Sequence, residues 1–354
     1  MRVIKGVETL GGSTSYTINI GETINPENSI LIINYGANNN SSRTNQYTGE
    51  IISGTQLRFR RGAPFSATST LYWTIIESPQ ISVERGFFLF SGETTHTINA
   101  TKDLSNSFVI YSSNELAPNN NTNIHSSFCS TELIYSENNV VFRRTSSARD
   151  SEVAYQIITW QGVETQHLFF NANLSSSISL SQVDASKSVL IVNSATNSQD
   201  AQNDRPCFTL TNENIIVDSG ATRSSSIGFF VLTSNKFTTI RGNHQTSTGV
   251  ETAVLGTGLI HESFIHTTGV RRDIDTAVGD GSLVNSQRIV GGDAITQKYT
   301  TTFERWTVFY EIVSIIEEEA TPPIKTLQNG DWVPVTPKIY NGESFVNIQD
   351  IRGL

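Results

Sequence analysis

Cysteine, methionine, charged residues and long apolar runs are all scarce in this chain of 354 residues. The two cysteines, Cys129 and Cys207, are too few for a disulfide framework or a zinc site. No apolar run approaches the roughly 20 residues of a membrane span, which argues against an integral membrane protein and predicts no membrane insertion.

The charge balance and the first residues of the chain bear on two further classes, nucleic-acid binders and proteins exported by a signal peptide. Charged residues make up 16% of the chain and the formal net charge is −9, whereas a general nucleic-acid binder needs a basic face. Met1–Val7 runs directly into strand-like sequence, without the apolar segment and cleavage site of a signal peptide. We therefore expect no nucleic-acid partner and a protein made in the cytosol without a signal peptide.

An internal repeat is the strongest signal in the sequence. Each unit opens with a short element that ends in glycine: Gly6, Gly86, Gly162 and Gly242. Each then carries a serine followed by an apolar run, and closes on a strand-like segment built around an aromatic residue: Trp73, Tyr155, Phe229 and Tyr310. Because the distance from glycine to aromatic residue is nearly constant, the pattern predicts four tandem modules.

The pattern within each unit is that of β-strands. Tyr16–Ile20 alternates apolar and polar residues, as a half-buried strand does. Ile30–Ile33 and Leu190–Val192 are continuous apolar runs rich in β-branched residues, which is typical of a strand buried on both faces. About six short strands per unit predict a small β-sandwich or barrel-like module. We expect the four aromatic residues to hold matching positions in the module cores.

The predicted fold is all-β, with four tandem β-sandwich or barrel-like modules and an extended C-terminal arm. The predicted boundaries are 1–80, 81–160, 161–236 and 237–316 for the modules, the last of them divergent, and 317–354 for the arm. The arm carries large apolar residues that it is too short to bury by itself: Trp332, Val333, Ile339, Tyr340, Phe345, Val346 and Ile348. We predict that this assembly arm packs on another module or on a neighbouring subunit.

No group of residues predicts catalysis, a cofactor or a metal. The chain has no Gly-x-Ser-x-Gly motif, and its carboxylates suggest no glycosidase pair. Asp273, Asp275 and Asp280 lie in an Asp- and Gly-rich segment that could wrap a cation, but the EF-hand spacing fails, and we predict no bound metal. The 6 histidines lie in different modules or at a spacing that suits no metal site, so we expect them at the surface.

The arginine pairs and the cysteines carry structural predictions. Arg60-Arg61 and Arg143-Arg144 occupy the same place in modules 1 and 2, and strand geometry points the two members of a pair to opposite faces. We expect a structural role, with carboxylates such as Glu77 or Glu152 as partners, and anion binding as the alternative. Cys129 and Cys207 occupy nearly equivalent places in successive modules, too far apart for a disulfide, which predicts two free and mostly buried thiols.

The module pattern resembles repeats of virion-associated and tail-fibre-like structural proteins of tailed bacteriophages. The elements that carry the resemblance are Val83–Gly86, Ser107–Ile110 and Tyr72–Glu77, and it spans residues 1–315. The resemblance implies a non-enzymatic protein of the phage virion (head-surface, tail or fibre-attachment) that assembles in the host cytoplasm. The expected partners are copies of itself, as a homo-oligomer, and other virion proteins. The alternative is a carbohydrate-binding adhesion protein that contacts a host-surface glycan, and a polysaccharide depolymerase is the third hypothesis.

Overall fold

A computed structural model describes the chain with gaps. The described residues are 1–37, 46–62, 69–116, 129–147, 149–172, 177–196, 207–218, 225–245, 251–257, 259, 262–272, 285–290, 293–298, 306–316, 325–328, 331–334, 338–340 and 345–347. Over these residues the chain forms β-strands, a few single 3-10 turns and no α-helix, which confirms the predicted all-β class. No helix in this part of the chain has the length and hydropathy needed to cross a membrane.

The strands fall into four consecutive sets of six, each of which we call a module. Module 1 contains β1 (Arg2–Leu10), β2 (Ser15–Asn19), β3 (Ser29–Ala37), β4 (Thr48–Ser53), β5 (Gln56–Arg60) and β6 (Ser69–Glu77). Module 2 contains β7 (Ile81–Phe90), β8 (Thr95–Asn99), β9 (Ser107–Glu115), β10 (Ser130–Ile134), β11 (Asn139–Arg143) and β12 (Ser151–Trp160). Module 3 contains β13 (Glu164–Ala172), β14 (Ser177–Ser179), β15 (Ser188–Thr196), β16 (Cys207–Leu210), β17 (Asn214–Asp218) and β18 (Ser225–Thr233). Module 4 contains β19 (Phe237–Gln245), β20 (Glu251–Gly256), β21 (Ser263–Arg272), β22 (Asn285–Val290), β23 (Asp293–Lys298) and β24 (Trp306–Ile315).

Each module has two antiparallel three-stranded sheets with the same strand order. The main sheet places the sixth strand between the first and the third, and the small sheet places the fifth strand between the second and the fourth. In module 1, Leu31 and Trp73 of the main sheet pack with Leu57 and Phe59 of the small sheet in one buried cluster. The two sheets therefore face each other as a small sandwich.

The four landmark aromatic residues lie at the same position of the central strand of each main sheet, and all four are buried. This confirms the prediction of matching core positions. Gly6, Gly86 and Gly242 stand directly across the ladder from Trp73, Tyr155 and Tyr310. A Cβ on any of these glycines would overlap the aromatic ring, so the ring lies over the glycine and occupies the space a side chain would need.

The prediction that Gly162 is the counterpart of Gly6, Gly86 and Gly242 is wrong. Gly162 lies in a turn before β13, with φ of 78°, a conformation that glycine adopts without strain. The residue across from Phe229 is Leu168. Module 3 therefore has no glycine at this position, and the regular spacing of Gly162 from Phe229 was a coincidence.

The main sheets are buried on both faces, as the continuous apolar runs predicted. In β15, Val189 and Ile191 belong to a large central cluster, while Leu190 belongs to the core of module 3. In β18, Phe230 belongs to the central cluster and Phe229 belongs to the core of module 3. Alternate residues of one strand thus serve two different cores.

The modules contact each other in a closed ring. The fourth strand of each module lies against the third and sixth strands of the next: β4 on β9 and β12, β10 on β15 and β18, and β16 on β21 and β24. Strand β22 of module 4 has the same relation to β3 and β6 of module 1. Val3, Phe108, Phe230 and Phe264, one from each module, belong to the same central cluster. Met1–Ile315 is accordingly one compact unit, and the predicted division into separate domains stays a prediction.

The second compact unit is Ile316–Leu354. Its described residues form two short antiparallel ladders. One pairs β25 (Lys325–Gln328) with β26 (Asp331–Pro334), and the other pairs β27 (Lys338–Tyr340) with β28 (Phe345–Asn347). Six residues of the predicted assembly arm lie in these strands: Trp332, Val333, Ile339, Tyr340, Phe345 and Val346. Ile348 lies outside the described residues.

Candidate functional site

The junctions between modules contain buried polar side chains that bind the neighbouring module. Gln156 in the central strand of module 2 lies against β3, an edge strand of module 1. Its Oε1 accepts a hydrogen bond from the Leu31 backbone N–H at 2.9 Å, and its Nε2 donates to the Leu31 carbonyl at 2.7 Å. A single amide side chain therefore satisfies the donor and acceptor of one edge residue, a role that suits the exposed edge of a sheet.

Glu311 holds the equivalent position in module 4. Its Oε2 accepts from the Leu190 backbone N–H at 2.8 Å, and its Oε1 accepts from Arg241 Nε at 2.6 Å. Arg241 also donates to the backbone carbonyls of Ala185 and Ser188 in module 3. Burial raises the pKa of the Glu311 carboxyl above its ordinary value, against the opposing effect of Arg241.

Arg85 is the counterpart of Arg241 at the junction between modules 1 and 2. It donates to the carbonyl of Ser29, but its Nε is buried without a hydrogen-bond partner. The residue across the ladder is Gln156 rather than a carboxylate, and burial lowers the pKa of Arg85 to about 10. The junction between modules 1 and 2 thus has the same geometry as the junction between modules 3 and 4, but it has the neutral Gln156 where the other has the carboxyl of Glu311.

The junction between modules 2 and 3 uses other groups. Asn193 Nδ2 donates to the Val109 carbonyl at 2.9 Å and to Thr131 Oγ1 at 2.8 Å. The place of Gln156 is taken by Phe230, which stacks on His167 with ring centroids 4.9 Å apart. His167 is therefore not the surface histidine that the sequence predicted, because it lies at a packed junction, and burial lowers its pKa.

The first arginine of each predicted pair also lies at a junction. Arg60 stands over the ring of Phe87 in module 2 at 4.5 Å, and Arg143 over that of Phe169 in module 3 at 5.9 Å. Their carboxylate partners are on the adjacent strand of their own module. Arg60 pairs with Glu50 at 3.2 Å, and Arg143 pairs with Glu132 at 2.7 Å.

The predicted partners of these arginines were wrong. Glu77 pairs with Arg2, and Glu152 accepts from Asn114 Nδ2 at 2.9 Å. Glu50 lies on the strand next to that of Arg60, and Glu132 lies on the strand next to that of Arg143. Each carboxylate is therefore within short cross-strand range of its arginine.

The second arginine of each pair is buried inside its own module. Arg61 donates to the carbonyls of Ser13 and Gly11 and to the Tyr47 hydroxyl. Arg144 does the same with the Glu93 and Arg149 carbonyls and Ser151 Oγ. Both guanidinium groups therefore tie loops together, which is a structural role.

The two members of a pair should differ in their effect on stability. We expect Arg144→Ala to lower the free energy of unfolding by about 2–3 kcal/mol, because it leaves buried carbonyls without donors. Arg143→Ala removes a partly exposed ion pair and should cost less than about 1 kcal/mol. Urea unfolding of the two variants measures both values, and equal losses would contradict the assignment of roles.

We expect the buried carboxyl of Glu311 to make the stability of the junction between modules 3 and 4 depend on pH. Because its folded pKa is raised, the folded protein holds this proton more tightly than the unfolded chain does. Stability from this group is therefore present below the ordinary value of 4.5 and is lost as the pH rises through the raised folded pKa. We expect Glu311→Gln to remove this dependence, since glutamine can copy the bonds of Gln156.

The matched control is the reverse change, Gln156→Glu, which should create the same pH dependence at the junction between modules 1 and 2. Melting temperatures of the wild type and both variants between about pH 4 and 8 test this exchange of behaviour. If the melting temperature of Glu311→Gln changes with pH in parallel with that of the wild type, Glu311 is not the source of the pH dependence.

Two clefts open beside these junctions. One, of about 130 Å³, lies between modules 1 and 2 and is lined by Asn34, Gly49, Ser112 and Gln156 among others. The other, of about 100 Å³, lies between modules 3 and 4 beside Arg241 and Glu311. Both are smaller than the roughly 300 Å³ at which ligand pockets usually begin.

The remaining predicted site residues are placed as follows. Asp273, Asp275 and Asp280 lie outside the described residues. Within the part of the chain that the structure describes, no group of three His, Cys, Asp or Glu side chains is arranged to hold a metal ion. Cys129 and Cys207 are buried and form no disulfide, which confirms that prediction, and burial raises the pKa of the Cys129 thiol.

The repeat pattern did not single out the residue that follows each landmark aromatic in the central strand: Thr74, Gln156, Phe230 and Glu311. Gln156 and Glu311 among them bind the backbone of the preceding module. A signal was present, because Thr74, Gln156 and Glu311 are polar residues inside largely apolar strands.

No protein-family model matches the chain, and no characterised protein matches it with significant similarity. The relation to phage structural proteins therefore stays a prediction from the motifs.

Proposed function

We propose that the chain is a non-enzymatic structural component of a phage virion, a head-surface, tail or fibre-attachment protein that acts through protein–protein contacts. The observation that carries the proposal is the use of polar side chains at the junctions. Gln156, Asn193 and Glu311 each bind backbone groups of the preceding module. Side chains used in this way hold modules in fixed positions, which suits a rigid building block.

The ring has further features of such a block. Its main sheets are buried on both faces, and the Arg60 and Arg143 guanidinium groups cover aromatic rings of the next module. Charged groups of this kind fix orientation and register as well as adding energy. The motif resemblance supports the assignment to a particle, and the apolar arm supports assembly with copies of itself and with other virion proteins.

Mass spectrometry of phage particles purified from the host of origin tests the proposal. The chain should be present at a fixed copy number and should stay with the particles through a density gradient. Its absence from purified particles would overturn the virion assignment.

The isolated protein provides the second half of the test. Release of reducing ends from host polysaccharide would replace the proposal with a depolymerase. Binding to a glycan array without cleavage would favour the adhesion alternative.

A further inference from the structure

The contact between module 4 and module 1, which we call the seam, repeats the geometry of the other junctions. Strand β22 lies on β3 and β6 just as β4 lies on β9 and β12. At two other junctions, Arg85 and Arg241 reach the carbonyl of a serine that begins the third strand of the preceding module. The module 1 residue at their position is Lys5.

The electrostatics of the seam follow the same plan. The serine at the matching place in module 4 is Ser263, the first residue of β21, and Glu262 precedes it. The negative charge of Glu262 acts on the half-buried Lys5 and favours its charged form against the cost of burial. A basic residue of module 1 thus interacts electrostatically with the residue that precedes the third strand of module 4, at the place where Arg85 and Arg241 reach the start of the third strand at two of the chain-linked junctions.

The seam differs from the other junctions in one respect. Modules 1 and 2 are joined by the short turn 78–80, and modules 2 and 3 and modules 3 and 4 by similar turns. Modules 4 and 1 are the last and first of the compact unit. Val3 and Ile30 belong to the same central cluster as Phe264 and Val313, and β22 lies on β3 and β6, so packing rather than a turn closes the ring.

We propose that the seam is an exchangeable interface whose second partner is another copy of this chain. Two different surfaces meet at the seam, so module 4 of one copy fits module 1 of another as well as its own. Reciprocal exchange between two copies makes two seams and loses none. In a single chain the linked modules have an effective concentration of about millimolar, which favours the closed monomer. Exchange therefore becomes visible when chains refold together at high concentration.

Charge reversal separates the two arrangements. Lys5→Glu places two negative charges at the seam of its own chain, and Glu262→Lys places two positive charges there. When the two variants exchange modules with each other, both seams regain one positive and one negative charge. The double variant, Lys5→Glu with Glu262→Lys, regains the pair within one chain and serves as the matched control.

The experiment refolds the two full-length single variants together, one of them isotopically labelled, and counts dimers by native mass spectrometry. We expect about tenfold more heterodimer than homodimer of either variant, because two opposite-charge contacts replace two like-charge contacts and tenfold needs only about 1.4 kcal/mol in total. The double variant refolded alone should match the wild type. Because the C-terminal arm is identical in every variant, its contribution to dimers cancels in this ratio.

A statistical mixture of heterodimer and homodimers would overturn the proposal. If a single variant does not fold alone, recovery of folded heterodimer on mixing still supports it, and failure to recover contradicts it. Neutral variants, Lys5→Met and Glu262→Gln, should give no excess of heterodimer when refolded together.

Discussion

Replacing Tyr155 by alanine should lower the free energy of unfolding of the four-module unit by about 3–5 kcal/mol. This is the usual cost of truncating a buried aromatic side chain. The Tyr155 ring is buried at the centre of module 2 and packs on Phe88 and Phe142, with centroids 6.2 and 5.7 Å away. It also occupies the space above Gly86. Removal of the ring therefore leaves a cavity that the neighbouring strands cannot close.

Urea unfolding followed by circular dichroism measures this loss. Tyr135 is the matched control, since it is the same residue type in the same module and is 51% exposed. Tyr135→Ala should change stability by less than about 0.5 kcal/mol. Similar losses for the two variants would contradict the central place we give to the aromatic position.

The aromatic landmarks could be found from sequence because they obey a local rule. A strand buried on both faces consists largely of apolar residues, so a large aromatic residue at its middle stands in a mostly apolar run. Phe229 and Phe230 fulfil the rule for two different cores. Four such segments at a constant period give the fold class without any long-range information.

The glycine that opens each unit could be predicted correctly only in modules 1, 2 and 4, where an aromatic ring leaves no room for a side chain. Gly6, Gly86 and Gly242 are required because an aromatic ring lies over each of them. Across from Phe229 the chain has Leu168, so module 3 has no glycine to find. The nearest glycine in sequence, Gly162, serves a turn, and spacing alone does not distinguish the two roles.

The junctions lay beyond sequence reasoning for a different reason. Gln156 meets Leu31 and Glu311 meets Leu190 across more than 100 residues, and no periodicity predicts which edge strand a side chain will satisfy. The same holds for the seam, since closure of the ring depends on the angle between successive modules. That angle is set by side-chain packing at all the junctions together.

Deleting residues 320–354 should abolish assembly of the chain while leaving the ring folded. The described residues of this segment form only two-stranded ladders, and a two-stranded hairpin is marginally stable in water at best. We therefore predict that its large apolar residues add to a sheet edge or groove of a neighbouring molecule. Burial of such side chains at about 25 cal/mol per Å² makes a segment of this length a strong link between subunits.

The deletion variant should keep the β-sheet circular dichroism of the full chain and elute from a sizing column as a smaller particle, by more than the mass removed. Deleting only residues 348–354 leaves β25 to β28 in place and serves as the matched control, which should assemble like the full chain. If the larger deletion keeps the full-length oligomeric state, the segment is not the link. The contacts must then come from the surface of the ring itself, where seam exchange between copies is the surface to test next.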